Sequence, residues 1–445
     1  MPCLLVLTQT HNLWGGIETW MRDVFPALER RGWEVNYGLA WGARFNSPEL
    51  FVREHRYVRR WMPLDGRVGT ATARSRAVVG ELRRLDPDVI VPIGVGDALP
   101  GLRTYRNKRG RARILVPVHS LHVGTLADIK AHRDLIDGVG CVSGLPFHWA
   151  TAAFADQSPK LFLVRNGVPA PTRVSRRSSS GMFRVGYVGR LDAEIKRSHD
   201  LLGIASSLES TGTTVCLRVA GDGAMKPVLE AGFRGMRNPN SYEMLGFIKR
   251  ERLYEEVYPE LDCLILTSVT EGSPLAIIEA MRHGVVPVAS RYHGHAADGF
   301  LRPERNCLTY PVGDHAAAAA CIKRLAESPE LHHRLSSTAL ADAQSCDTNE
   351  MVDGWERALR SVLEASKRAP VNRIRPDRNA QGRLEAWGLS ATLSDDLRRI
   401  FGKQFQHTAG FDEWPGSLST DEVAEHSISV ELAAIEKTCT AQLYC

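Results

Sequence analysis

The sequence predicts an α/β protein of two doubly wound parallel-sheet domains, and three observations carry that prediction. Short apolar runs alternate with helical stretches from Cys3 to Ala365, the pattern of strand-helix-strand units covered by helices on both faces. A stretch without apolar period, rich in Pro, Ser and Arg, interrupts the alternation over 168–182 and reads as a linker. At 445 residues the chain is too long for one ordinary domain.

The first domain, 1–167, begins with a strand over 3–8. Gly15-Gly16-Ile17-Glu18 opens a helix that runs to Arg31. Further strands are expected over 34–40, 88–93, 114–118, 138–142 and 161–164, with a helix over 71–85. Ser143 is placed to cap a helix over 145–154. The second domain, 183–348, has strands expected over 183–188, 214–220, 241–245, 262–267, 285–289 and 306–310, and closing helices over 316–326 and 331–343. A last helix, 349–366, is expected to return to the first domain. The remainder, 367–445, is polar, with a basic stretch over 373–383. Ser394-Asp395-Asp396 would cap a short helix ending near Phe401, and 421–437 reads as an amphipathic helix. Its low apolar content predicts a tail that is partly disordered or loosely docked.

Composition sets bounds on function. Hydrophobic residues at 43% and charged residues at 24% describe a soluble globular protein. A net charge of +5 is too mild to argue for nucleic acid. Basic clusters at Arg53–Arg60 and Arg103–Arg113 read as solvated faces. They are also candidates for peripheral contact with anionic lipid headgroups, with Tyr57 and Trp61 beside the first. The nine cysteines form no Cys-x-x-Cys pair, and Cys141, Cys216 and Cys263 lie in apolar runs, which fits a reducing compartment. No run approaches a membrane span, and the N-terminal apolar run is too short for a signal peptide. A cytoplasmic protein is expected, working at most at the inner face of the membrane.

The densest chemistry lies between Asp262 and Ser290. A buried strand is followed by Glu271-Gly272-Ser273, where Ser273 can cap a helix and Pro274 fits its first position. Glu279 falls in the second helical turn, and His283-Gly284 ends the helix. Two carboxylates thus flank the free N–H groups of a helix start, a place suited to a polyhydroxylated anionic ligand. Gly189-Arg190-Leu191 and Lys196 follow the first strand of the same domain. Arg holds phosphate oxygens bidentately and Lys adds a compact charge. Gly15-Gly16 lets the backbone approach a ligand at a positive helix end. His119 follows the strand over 114–118, with His122 a close rival. Gly221-Asp222-Gly223 and Gly246-Phe247-Ile248 end two further strands. Ser143 and Asn166-Gly167 read as structural turns first.

These motifs together resemble the retaining glycosyltransferases of GT-B architecture, the family 4 type (glycosyl transferases group 1). The resemblance covers 3–365 and is stronger in the second domain. It implies two Rossmann-like domains facing across a cleft. It implies hexosyl transfer from a nucleoside-diphosphate sugar, a UDP-sugar or GDP-sugar, to a hydroxyl acceptor. That acceptor would be a glycolipid, polysaccharide or secondary-metabolite intermediate. No cofactor and no obligatory metal are implied. Arg190 and Lys196 would meet the leaving diphosphate, and Glu271 would orient the sugar hydroxyls. Gly272, Ser273, Pro274 and Leu275 would line the donor, and Glu279 would accept from the ribose. The main chain of Ile248 would meet the base, Gly16 the donor phosphate or the acceptor, and His119 the sugar. One departure is Arg197, where the family usually has Gly after the lysine. Two alternatives stay open: a non-catalytic nucleotide-sugar-binding scaffold, and another GT-B enzyme such as a sugar-phosphate synthase or phosphorylase.

Overall fold

The computed structural model describes residues 1–10, 13–42, 47–96, 98–108, 110–156, 159–175, 182–238, 241–366, 383–403 and 421–444. The chain divides into two compact units. The first comprises Met1–Val142, Pro146–Val164 and Val352–Ala433; the second comprises Ser143–Leu145, Arg165–Met351 and the residues from Ala434.

The first unit holds a parallel sheet of β1 (Cys3–Thr8), β2 (Glu34–Trp41), β3 (Trp61–Asp65), β4 (Val89–Ile93), β5 (Arg113–Val118), β6 (Gly138–Cys141) and β7 (Lys160–Leu163). Their order is β3-β2-β1-β4-β5-β6-β7. Leu4, Leu5, Val6 and Leu7 are all fully buried, so β1 is covered on both faces as a central parallel strand must be. Strand β3 was not among the expected elements. It carries Pro63, which a strand tolerates at the sheet edge that β3 occupies. Glycines 138 and 140 let the closing helix seat on β6. A Cβ on Gly138 would stand 2.6 Å from Val362, and one on Gly140 2.5 Å from Trp355.

The second unit holds β8 (Phe183–Val188), β9 (Val215–Ala220), β10 (Tyr242–Gly246), β11 (Cys263–Leu266), β12 (Val286–Ser290) and β13 (Leu308–Tyr310). Their order is β10-β9-β8-β11-β12-β13, again all parallel. The connections run one way from β8 and the other way from β11. The switch point therefore lies between β8 and β11, where open α/β sheets bind ligands beyond the carboxyl ends.

Several expectations need correction. Arg103 and Arg106 do not form a solvated face: both are buried, paired at 2.5 Å with Asp134 and Asp137. The helix Ala98–Asn107 carries them inward, and the two carboxylates offset the cost of burial. Ser394 caps nothing. The helix is Ala391–Ile400, and Ser390 caps it by accepting from Leu393 N–H at 3.3 Å, leaving Ser394 inside and fully buried. The amphipathic helix of the tail runs Glu422–Tyr444 and buries Ile428. The stretch 373–382 and linker residues 176–181 lie outside the described residues. The eight described cysteines are free thiols. Among the described residues, no helix is long and apolar enough to cross a membrane.

Candidate active site

Two loops at the switch point of the second unit are stitched together. Thr267 hydroxyl donates to Lys196 carbonyl at 2.6 Å, and Val269 N–H donates to Ile195 carbonyl at 2.9 Å. Lys196 Nζ then donates to Glu271 Oε1 at 2.6 Å, and Ser268 Oγ donates to the same oxygen at 2.5 Å. The loop after β8 thereby places a cation against the carboxylate that follows β11. Asp192 shapes that loop from within: its Oδ1 accepts from the N–H groups of Ile195 and Lys196, and its Oδ2 from Arg190 Nε. Burial opposes ionisation of Asp192. The Lys196 N–H and the Arg190 guanidinium outweigh it and hold the carboxyl below the usual range.

Arg197 is the departure from the family pattern, and its backbone explains the family's glycine. It has φ +46, in the left-handed region that glycine enters freely. The guanidinium donates two 2.8 Å bonds to Asp200, which hold the residue there. The loop shape is kept with a different residue.

Glycines close the floor. A Cβ on Gly221 would meet Gly189 carbonyl at 1.9 Å, so the turn after β9 packs directly on the loop after β8. Gly221 N–H donates to Gly246 carbonyl, drawing in the end of β10, where Gly246 has φ +69. Ile248 follows this turn and is partly buried.

The helix after β11 starts one residue later than expected. It is Leu275–Arg282, Pro274 occupies the cap position with ψ 98, and no side chain caps it. The extended ψ of Pro274 delays entry into the helix, so Ser273 lies outside it beside Gly272. Glu279 is buried, and both its oxygens are held. Tyr254 hydroxyl donates to Oε1 at 3.0 Å and Tyr258 hydroxyl to Oε2 at 2.6 Å, with Arg250 Nε 3.5 Å from Oε1. These three donors sit at i, i+4 and i+8 along one helical stretch. Such positions drift by about 40° per step around a regular α-helix. The π turn Leu253–Val257 widens the spiral and keeps them closer to one line.

Asp192, Tyr254 and Tyr258, which hold candidate residues in place, were missed by the sequence reading. The spacing of Arg250, Tyr254 and Tyr258 was the available signal. Glu271, Lys196 and Arg190 are brought together with their partners, whereas Glu279 has a shell of its own.

In the first unit, Gly16 is the exposed first residue of the helix Gly16–Arg30. A Cβ on its neighbour Gly15 would stand 2.6 Å from Glu18 Oε2, so the Glu18 carboxyl folds back over the helix start. Burial raises the Glu18 pKa. An anion at this helix end would meet that carboxyl first. His119 lies edge-on to Trp20 at 4.5 Å and stacks on Trp355 at 6.3 Å. Its Nε2 is shut from solvent with no hydrogen-bond partner among the described residues, and burial pushes its pKa down to about 4. His122 is exposed, and its ring nitrogen caps the helix Val123–Ala131.

Residues 183–328 match the model of the family described as glycosyl transferases group 1. No curated protein matches the chain in sequence. Among solved structures, the apo form of the lipopolysaccharide outer core galactosyltransferase WaaB aligns at TM-score 0.64. It shares 19% identity over 81% of this chain and 99% of its own. Anabaena Alr3699/HepE, in complex with UDP and glucose, aligns at TM-score 0.63 with 17% identity over 81% of this chain and 100% of its own. The sucrose-phosphate synthase of Thermosynechococcus elongatus aligns at TM-score 0.66 with 16% identity over 82% of this chain and 100% of its own. These likenesses establish the fold: two Rossmann-like parallel-sheet domains of the GT-B type. With the matched family model, they support a glycosyltransferase of that type.

Proposed function

We propose that the chain is a retaining glycosyltransferase that moves a hexosyl group from a nucleoside-diphosphate sugar to a hydroxyl acceptor. The observation that carries this reading is the Lys196–Glu271 pair at 2.6 Å, held between two stitched loops at the switch point. Transfer releases a diphosphate, on which charge builds in the transition state. Arg190 and Lys196 stand where cations can meet that charge, and a preorganised cation is worth more in a water-excluded site. Both cations rest on carboxylates, Arg190 on Asp192 and Lys196 on Glu271, so an arriving diphosphate competes with these partners. Glu271 would then accept from sugar hydroxyls. Backbone N–H groups around Gly272, Ser273 and Leu275 would meet donor oxygens. Pro274, with no N–H, would only shape that turn. Glu279 would accept from the ribose, and the main chain of Ile248 would meet the base. Of the two roles that the resemblance offers Gly16, the acceptor fits better than a phosphate, since the Glu18 carboxyl lies over the helix start, and His119 keeps the role that the resemblance implies. The UDP and glucose in the Anabaena structure favour a UDP-sugar over a GDP-sugar.

The likeness to a sucrose-phosphate synthase favours one second reading, in which the acceptor is a sugar phosphate. Thermal shift against a panel of UDP- and GDP-sugars tests the donor, because a ligand of the folded state raises apparent stability. Transfer is then assayed with sugar phosphates and with lipid and polysaccharide extracts in parallel. Nuclear magnetic resonance of the product anomer tests retention. The reading fails if no nucleotide sugar raises the melting temperature, and its retaining part fails if the anomer inverts.

A further inference from the structure

The helix Ala391–Ile400 is built inside out. Its buried side chains are Ser394, Asp395 and Arg398. Leu393, Ile400 and the adjacent Phe401 are 50%, 74% and 70% exposed. A helix on a globular protein ordinarily turns its apolar stripe to the core. Here the polar face is the anchored one. Arg398 donates to both oxygens of Glu385, at 2.7 and 2.6 Å, and to Asp395 at 2.9 Å. Arg76 donates to Asp396 at 3.1 Å, tying the helix to the helix Ala71–Leu85 of the same unit. Leu393 and Ile400, seven residues apart, share a side of the helix. Trp387, just after the short helix Arg383–Ala386, is 76% exposed.

The charges of this segment are sorted to match. Its carboxylates, Glu385, Asp395 and Asp396, are each held by an arginine. Arg383, Arg399 and Lys403 are exposed. Large apolar and aromatic side chains fringed by cations suit an anionic lipid surface, where the rings enter the acyl boundary and the cations meet phosphate. A stable protein partner would need about 20–30 residues of shaped surface on each side. The exposed large apolar side chains of the described segment are four, Trp387, Leu393, Ile400 and Phe401, and a lipid surface asks for no shape.

We propose that 383–403 is a lipid-contact surface that seats the first unit on an anionic membrane. Trp387, Leu393, Ile400 and Phe401 enter the bilayer interface, and Arg383, Arg399 and Lys403 contact headgroup phosphates. This differs from the contact expected of Arg103–Arg113, whose Arg103 and Arg106 are buried in ion pairs.

The test is co-sedimentation of the full chain with vesicles of phosphatidylcholine alone or mixed with phosphatidylglycerol. The full chain should bind the anionic vesicles and release in high salt. Ile400→Ser/Phe401→Ser should weaken binding at least roughly tenfold, since affinity follows buried apolar area. Arg399→Gln/Lys403→Gln should weaken it and flatten the salt dependence. Melting temperatures should be unchanged, because the altered side chains are exposed. A measurement that needs no disruptive change is quenching of tryptophan fluorescence by brominated acyl chains, which Trp387→Phe should reduce. Equal binding by the serine variant, or no binding by the full chain, overturns the proposal. So does a concentration-dependent dimer that the serine variant abolishes without any vesicle binding, which would assign this face to a second copy.

Discussion

Tyr258 places its hydroxyl 2.6 Å from Glu279 Oε2, while Tyr254 places its own 3.0 Å from Oε1. Burial first, and the Glu279 charge second, push both phenols far above their ordinary pKa, so both remain donors. The carboxylate is thereby aimed before any ligand arrives. If the ribose is the ligand, its affinity depends on this aim.

Tyr254→Phe/Tyr258→Phe should lower donor affinity about tenfold, the scale of one hydrogen bond to a charged group, about 1.5–3 kcal/mol. Phenylalanine keeps the packing, so turnover at saturating donor should change far less. Discrimination against a 2′-deoxyribose donor should also shrink. Glu279→Ala should cost at least roughly tenfold with the fold intact. Calorimetric titration measures all of these, and an unchanged dissociation constant for Glu279→Ala removes the residue from the site.

Arg190→Ala and Lys196→Ala should act on turnover. Each loses charge stabilisation in the transition state, on the order of 10²–10³ in rate by analogy with a lost oxyanion donor. Lys196→Ala also leaves Glu271 with Ser268 as its remaining side-chain donor, so donor KM should rise with it. Transfer should persist in a chelator. Full activity in the double variant, restored by a divalent metal, would refute the assignment.

The first unit should weaken in mild acid. Burial pushes His119 and His132 from an ordinary 6.5 down to about 4. Both are neutral in the folded chain at pH 7. Below 6.5 the unfolded chain takes up protons that the folded chain refuses, so stability is complete above 6.5 and falls as pH drops toward 4. Between pH 7 and 5 the loss is bounded by about 2 kcal/mol per ring. Urea unfolding at the two pH values measures it, and His119→Phe should flatten the profile. An identical pH slope in that variant would mean that His119 is already protonated or solvated.

The tail helix should matter more than its composition suggests. Sequence reasoning expects a chain truncated after about Lys367 to fold and bind donor. In the structure Ile428 is buried, and Glu436 accepts from Gly294 N–H at 2.7 Å and pairs with His293 at 2.9 Å. His293 N–H in turn donates to Val269 carbonyl, two residues before Glu271. Glu436→Ala should lower donor affinity a few-fold and the melting temperature by a few degrees, roughly one lost charged hydrogen bond. If both stay at wild-type values, the contact is idle.

Some of this protein was written locally. The central strands are short β-branched and leucine-rich runs that can only be buried on both faces, and Gly284, with φ +75, marks the end of its helix unaided. That Arg190, Lys196 and Glu271 would stand in loops just after strands was legible, because the apolar runs before them end there. Strand β3 was not, because an edge strand with Pro63 carries little apolar signal. The burial of Arg103 and Arg106, the left-handed Arg197 and the inverted helix Ala391–Ile400 were not legible either. Each is decided by a partner carboxylate, and whether a charge is buried or solvated depends on whether that partner is there. For Arg103 and Arg106 the partners lie 31 residues away. The same holds for Glu279. The sequence by itself determined that a carboxylate would stand in the second turn of that helix. Only the tertiary structure decided that two tyrosines, 25 and 21 residues before it, would hold both its oxygens, because hydrogen bonds between distant segments are set by packing and leave no periodic trace in the chain.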